Sequence, residues 1–101
     1  MPFYHIVLFR LKPSAPEEVI DEFIKRAKAM ETVPGVLKVD VNSPLAATAN
    51  RANGYGLGIV AVLGSLEDLD VWAAHPAHLK AGELRDQLFE GSMSYDLEFP
   101  A

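Results

Sequence analysis

Three side chains in this 101-residue chain could move protons near neutral pH: His5, His75 and His78. Imidazole is the one side chain whose unperturbed titration falls in that range. His5 stands in an apolar run between Tyr4 and Ile6. A lone strand histidine is commonly a packed residue with one hydrogen bond, so a functional role for it needs a partner. His78 falls in a helical pattern. On an ideal helix it lies about 90° from the centre of the stripe Ala77, Ala81, Leu84 and Leu88, at the margin between core and water. Phe89 falls near the same flank. A histidine there is either half-exposed or the partly desolvated lip of a pocket. His75 precedes Pro76 in a bend, where a cap or a solvent-facing ring is expected.

Other chemistries find less support. His5, His75 and His78 could in principle supply three imidazoles to zinc. The last two straddle a helix start, however, and no carboxylate is placed to reinforce them, so neither metal nor cofactor is expected. The chain has no cysteine, which removes disulfides, thiolate metal sites and thiol nucleophiles. Ser14 and Ser65 read as helix caps, and no Gly-x-Ser-x-Gly is present. The run Gly54-Tyr55-Gly56-Leu57-Gly58 lies in a strand pattern and not in a phosphate-binding loop. Asp96 and Glu98 fall on the polar side of the last strand, where they are expected to face water.

The elements that must position these residues follow from periodicity. A first strand spans Phe3 to Leu11 and is apolar on both faces. Ser14 and Glu17 have capping-box spacing ahead of a helix whose stripe is Val19, Ile20, Phe23, Ile24, Ala27 and Met30. Pro34-Gly35 ends that segment, and Val36 to Val41 alternates as a second strand. Asn42 to Gly54 is loop. Tyr55 to Leu63 is a third strand, apolar on both faces, whose glycines suggest close approach by a backbone or a ligand. A short helix carries Leu66, Leu69 and Trp72, and a further helix starts at Pro76 and runs to Gly91. The last strand alternates Met93, Tyr95, Leu97 and Phe99 against Ser94, Asp96 and Glu98.

This order predicts one α+β domain over residues 1–101, a ferredoxin-like βαββαβ protomer. Its four-stranded antiparallel sheet carries helices on one face. Those helices leave the second face of strands one and three bare, and a second copy, sheet against sheet, is the simplest cover. The net charge of −5 makes nucleic acid a poor partner. Glu17, Glu18, Asp21 and Glu22 precede Lys25, Arg26 and Lys28, an order that suits a helix macrodipole better than a binding patch. The first residues lack a basic segment and their apolar run is too short for a membrane span, so a cytoplasmic protein is expected.

The residues also resemble a known family. His5-Ile6-Val7-Leu8-Phe9-Arg10-Leu11-Lys12, Val33-Pro34-Gly35-Val36, Gly54-Tyr55, Leu66-Glu67-Asp68-Leu69, His75-Pro76-Ala77-His78 and Tyr95-Asp96-Leu97-Glu98 stand in the order and spacing of the stress-responsive A/B barrel (Dabb) family. The resemblance covers nearly the whole chain. It implies a homodimer whose sheets form a dimeric α/β barrel, with a small apolar cavity between sheet and helices. It implies that His78 and His5 point into that cavity and that Val7, Leu57, Ile59, Trp72 and Phe89 line it. Catalytic relatives include cofactor-independent polyketide cyclases, in which His78 would be the base and His5 would hydrogen-bond the developing enolate. Such enzymes place a tyrosine where this chain has Trp72, and indole cannot act as an acid. The alternative is a non-catalytic stress-associated dimer that binds a small apolar or aromatic ligand.

Overall fold

Alternation along the strands decides which side chains meet. The computed structural model describes residues 1–100. Strand β1 (Phe3–Leu11) is followed by helix α1 (Glu17–Lys28), a 3-10 turn (Ala29–Thr32) and β2 (Val36–Asn42). A second 3-10 turn (Ala46–Arg51) leads to β3 (Leu57–Leu63), helices α2 (Leu66–Ala74), α3 (Pro76–Gly82) and α4 (Arg85–Leu88), and β4 (Phe89–Glu98). The sheet order is β2-β3-β1-β4 and every pairing is antiparallel.

Phe3, His5 and Phe9 of β1 are buried beneath the helices, together with Leu57, Ile59, Ala61 and Leu63 of β3. From α1, Phe23 and Ala27 pack down on them. The macrodipole order stands: Glu17 and Glu18 occupy the first turn, and Lys25, Arg26 and Lys28 the last. The cap differs from the expectation. Pro16 is the N-cap, with its carbonyl accepting from the Val19 and Ile20 amides, and Ser14 makes no cap bond. At α2, Ser65 holds the N-cap position, but its hydroxyl donates to the Asp68 carboxylate at 3.0 Å.

The Pro34-Gly35 turn fixes α2 against the sheet. Gly35 has φ +87°, and a Cβ there would lie 2.2 Å from Asp68 Cγ. Only glycine admits both the backbone conformation and the contact. Across this junction the Gly64 amide donates to the Gly35 carbonyl at 3.0 Å. The glycines of the third strand make room for this chain's own side chains: Leu11 packs over Gly56 and Leu8 over Gly58.

The helix expected from Pro76 to Gly91 is interrupted. Helix α3 ends at Gly82, α4 is a single turn, and β4 begins at Phe89. Glycine weakens the helix at Gly82. Phe89 gains an aromatic cluster by leaving it, stacked on Phe9 at 4.1 Å and edge-on to Phe23 at 4.9 Å.

The register of β4 settles its faces. Asp96 pairs with His5 and Ser94 with Val7, so Ser92, Ser94, Asp96 and Glu98 share the helix side. Met93, Tyr95 and Leu97 join Tyr4, Ile6 and Leu8 of β1 and Val60 and Val62 of β3 on the open side. There Tyr95 is 60% exposed and Leu97 49%. The expectation that the polar alternates of β4 face water holds, since Ser92, Ser94, Asp96 and Glu98 are all exposed, although β4, as an edge strand beside His5, presents them on the helix side.

Candidate active site

Strand β1 brings His5 under the helices, and α3 brings His78 down from above. Trp72 of α2 stands between them, its ring centroid 5.8 Å from that of His5 and 6.0 Å from that of His78. Trp72 is 2% exposed, and its T-shaped contact fixes the plane of the His5 ring.

A cavity of about 130 Å³ lies here. Its walls include His5, Val7, Ile59, Trp72 and His78, five of the seven residues expected at such a site. Leu57 and Phe89 are not among them. Leu57 pairs with Phe9 farther along the sheet and faces a separate groove shared with Leu11, Ile20 and Ile24. Phe89 loses the helical register that would carry it to the flank of His78, because α3 stops at Gly82. The remaining wall is Phe9, Phe23, Met30, Ala81 and Gly82, with Arg85, Ser92 and Ser94 at a polar end. Sequence reasoning missed that end.

The buried His5 ring has as its partner a carboxylate that also meets water. Its Nδ1–H donates to Asp96 Oδ1 at 2.6 Å, with the carboxylate side chain 45% exposed. A bond to a carboxylate places the ring proton on Nδ1 and leaves Nε2 with its lone pair. His78 differs. Its Nδ1 is buried and has no hydrogen-bond partner, the one such side-chain atom among the described residues. Its pKa is lowered from 6.5, chiefly by burial, then by the charge of Arg85 and by His5. His78 is therefore held as a neutral imidazole at pH 7. His75 is a cap: its Nδ1 accepts from the Ala77 amide at 3.0 Å. It is committed to the helix start and does not join the other two. Among the described residues no three His, Cys, Asp or Glu side chains converge as metal ligands.

A groove of about 300 Å³ adjoins the site at the other end of β4, lined by Met1, Phe3, Leu66, Asp96 and Glu98. Asp96 thus stands between this groove and the histidine cavity. No helix among the described residues is long and apolar enough to cross a membrane.

A four-stranded antiparallel sheet with helices on one face and a cavity between them defines an α+β, ferredoxin-like protein. The chain belongs to the stress responsive A/B barrel domain family (Dabb), whose sequence model matches residues 3–99. Solved structures share the fold. A dimeric ferredoxin-like protein of unknown function from Bacteroides fragilis is 25% identical, with a TM-score of 0.81 over 97% of this chain and 96% of that one. A dimeric ferredoxin-like protein from Thermobifida fusca is 18% identical, with a TM-score of 0.84 over 98% and 92%. The hydroxynitrile lyase of Passiflora edulis is 20% identical, with a TM-score of 0.79 over 98% and 97%. A search of curated proteins finds no match to this sequence.

Proposed function

We propose that this protein is a homodimer that binds a small carbonyl or carbinol compound and transfers a proton on it without a cofactor. The observation that carries the reading is the His5–Asp96 bond beside the unpartnered His78 Nδ1 in a cavity of mixed polar and apolar lining.

The environments of the two imidazoles differ in the way a base and its helper require. A base must become an imidazolium. At His78 that charge is opposed by burial, Arg85 and His5. At His5 it is supported by a carboxylate at 2.6 Å. The division of labour that this supports is the reverse of the one expected from the sequence. His5 takes the proton through Nε2, Asp96 fixes its tautomer, and neutral His78 hydrogen-bonds the substrate oxygen. The reaction is then addition or elimination at one carbon. In cyanohydrin cleavage His5 Nε2 takes the hydroxyl proton, C=O forms as the C–CN bond breaks, and His5 returns the proton to the departing cyanide. In the related α-proton exchange the C–H electron pair passes to the carbonyl oxygen, His78 hydrogen-bonds that oxygen, and His5 returns a proton to carbon.

Size narrows the substrate. An apolar protein cavity of roughly 150 Å³ holds benzene, so about 130 Å³ suits a single ring or a short chain. A polyketide cyclase would need its longer chain to continue past Asp96 into the adjoining groove. The fold shared with a hydroxynitrile lyase supports lyase chemistry on a small molecule. The bare apolar sheet face and the dimeric relatives support the homodimer.

The test uses two probe reactions: cleavage of mandelonitrile to benzaldehyde, and exchange of the α-protons of benzoylacetone into D₂O. A positioned base contributes about 10²- to 10⁴-fold. Asp96→Asn should therefore lower the rate by at least about 10²-fold with the fold intact. An unchanged rate in Asp96→Asn alongside a large loss in His78→Ala would return the base role to His78. Unchanged rates in both would remove the catalytic reading. One observation favours non-catalytic ligand binding: the cavity wall contains no tyrosine, lysine or carboxylic acid, so only the histidines could return the proton. On that reading both probes bind and neither turns over.

A further inference from the structure

We propose that Arg85, with the hydroxyls of Ser92 and Ser94, anchors a carboxylate, and that the ligand of the histidine cavity is a small monocarboxylate of single-ring or short-chain size. This deepens the proposed function and rests on that reading of the cavity.

Arg85 is the one fixed cation in the cavity wall. Its Nη2 donates to Ser92 Oγ at 3.3 Å, and its guanidinium carbon stands 5.7 Å from the centre of the Phe9 ring. Both partners are themselves wall residues, so the guanidinium is held at the cavity mouth, where Arg85 is also exposed to solvent. No carboxylate among the described residues forms a salt bridge with it. Three other cations of this acidic chain do meet carboxylates. Arg26 meets Glu22 and Glu83, Lys28 meets Glu31, and Lys38 meets Asp40. A guanidinium without a carboxylate beside two hydroxyls offers a fork of donors matched to both oxygens of an incoming carboxylate.

The opposite end fixes the orientation. Four residues along β4 from Ser92, Asp96 carries negative charge, and a strand covers that span in about 13 Å. An anionic group is repelled there and attracted at Arg85. The ligand's carboxylate therefore lies at Arg85 and its ring against Phe9, Ile59 and Trp72. Its remaining polar group reaches toward His5 and His78.

The test is calorimetric titration of the folded protein with benzoate and with benzamide, a neutral ring of the same shape, at low salt and about pH 7.5. Charge-assisted hydrogen bonds predict benzoate binding about 10- to 100-fold more tightly. Added salt should shrink that preference. Arg85→Gln should abolish it while leaving benzamide affinity within about twofold, and Arg85→Lys should retain part of it. Equal affinity for the two rings in the unaltered protein overturns the proposal, as does a preference that survives Arg85→Gln. A benzoate preference lost in Arg85→Gln, with no turnover of either probe reaction, would reject the catalytic reading and leave the anchor standing. Binding of neither ring would reject the anchor together with the ligand-binding reading.

Discussion

Tyr95→Lys should split the proposed dimer, and the structure sets the scale. Tyr95 lies on the open side of β4 and is 60% exposed in the protomer, the most exposed of the three apolar alternates there. Burying a large apolar side chain completely is worth about 1.5–3 kcal/mol. Covering the exposed share of Tyr95 therefore contributes roughly 1–2 kcal/mol in each copy. A two-fold axis counts the residue twice, so removing it costs association about 2–4 kcal/mol. At 1.4 kcal/mol per tenfold, the dissociation constant rises roughly 30- to 700-fold. Two lysine charges brought onto an apolar face make this a minimum. The assay is sedimentation velocity across a dilution series, with circular dichroism to confirm that the protomer remains folded. A Tyr95→Lys dimer as tight as the parent would refute the reasoning, as would a parent protein that is monomeric at about 100 μM. Either result would mean that the open sheet face is not where copies meet.

Two further outcomes are expected. Folded His78 has a lowered pKa, so the unfolded chain binds the extra proton first as pH falls below 6.5. The His78 contribution is therefore complete above about 6.5, is lost as pH falls, and levels off below the folded pKa. Urea midpoints measured between about pH 7.5 and 5 should fall less steeply in His78→Gln, and parallel curves would exclude the effect. Phe89→Ala should cost about 3–5 kcal/mol, because it removes the ring stacked on Phe9 and edge-on to Phe23. A loss below about 1 kcal/mol in urea unfolding would mean that this cluster does not hold β4 to the core.

Much of the frame was legible because it is written in periods of two and 3.6. The bounds of β1, the stripe of α1 and the two-faced character of β1 and β3 all follow from side-chain alternation. The site was harder. Period two says that Ser94, Asp96 and Glu98 share a face, but not which face lies under the helices. Polar residues on an edge strand read as solvent-facing, and these are, but that Asp96 also meets His5 shows only in the pairing. Leu57 was placed on the correct side of β3, and its distance from His5 along the sheet could not be read from one strand alone. Phe89 failed for another reason. Its expected position extrapolated a helix through Gly82, where the helix in fact ends. Arg85 lies beyond the same break, which hid it in the same way.

Strand β4 serves two masters, with neighbouring residues Tyr95 and Asp96 facing opposite ways. Its sequence is therefore intolerant of length change. One residue inserted between Gly91 and Tyr95 would turn every later side chain over. The carboxylates of Asp96 and Glu98 would be driven onto the apolar sheet face, and Tyr95 would crowd the histidine cavity. A single insertion would thus damage assembly and site together, although it deletes no residue of either. The loop before β3 is a gentler place, since no residue of its 3-10 turn, Ala46–Arg51, is buried. Natural variation in chain length should collect in that loop and should spare β4.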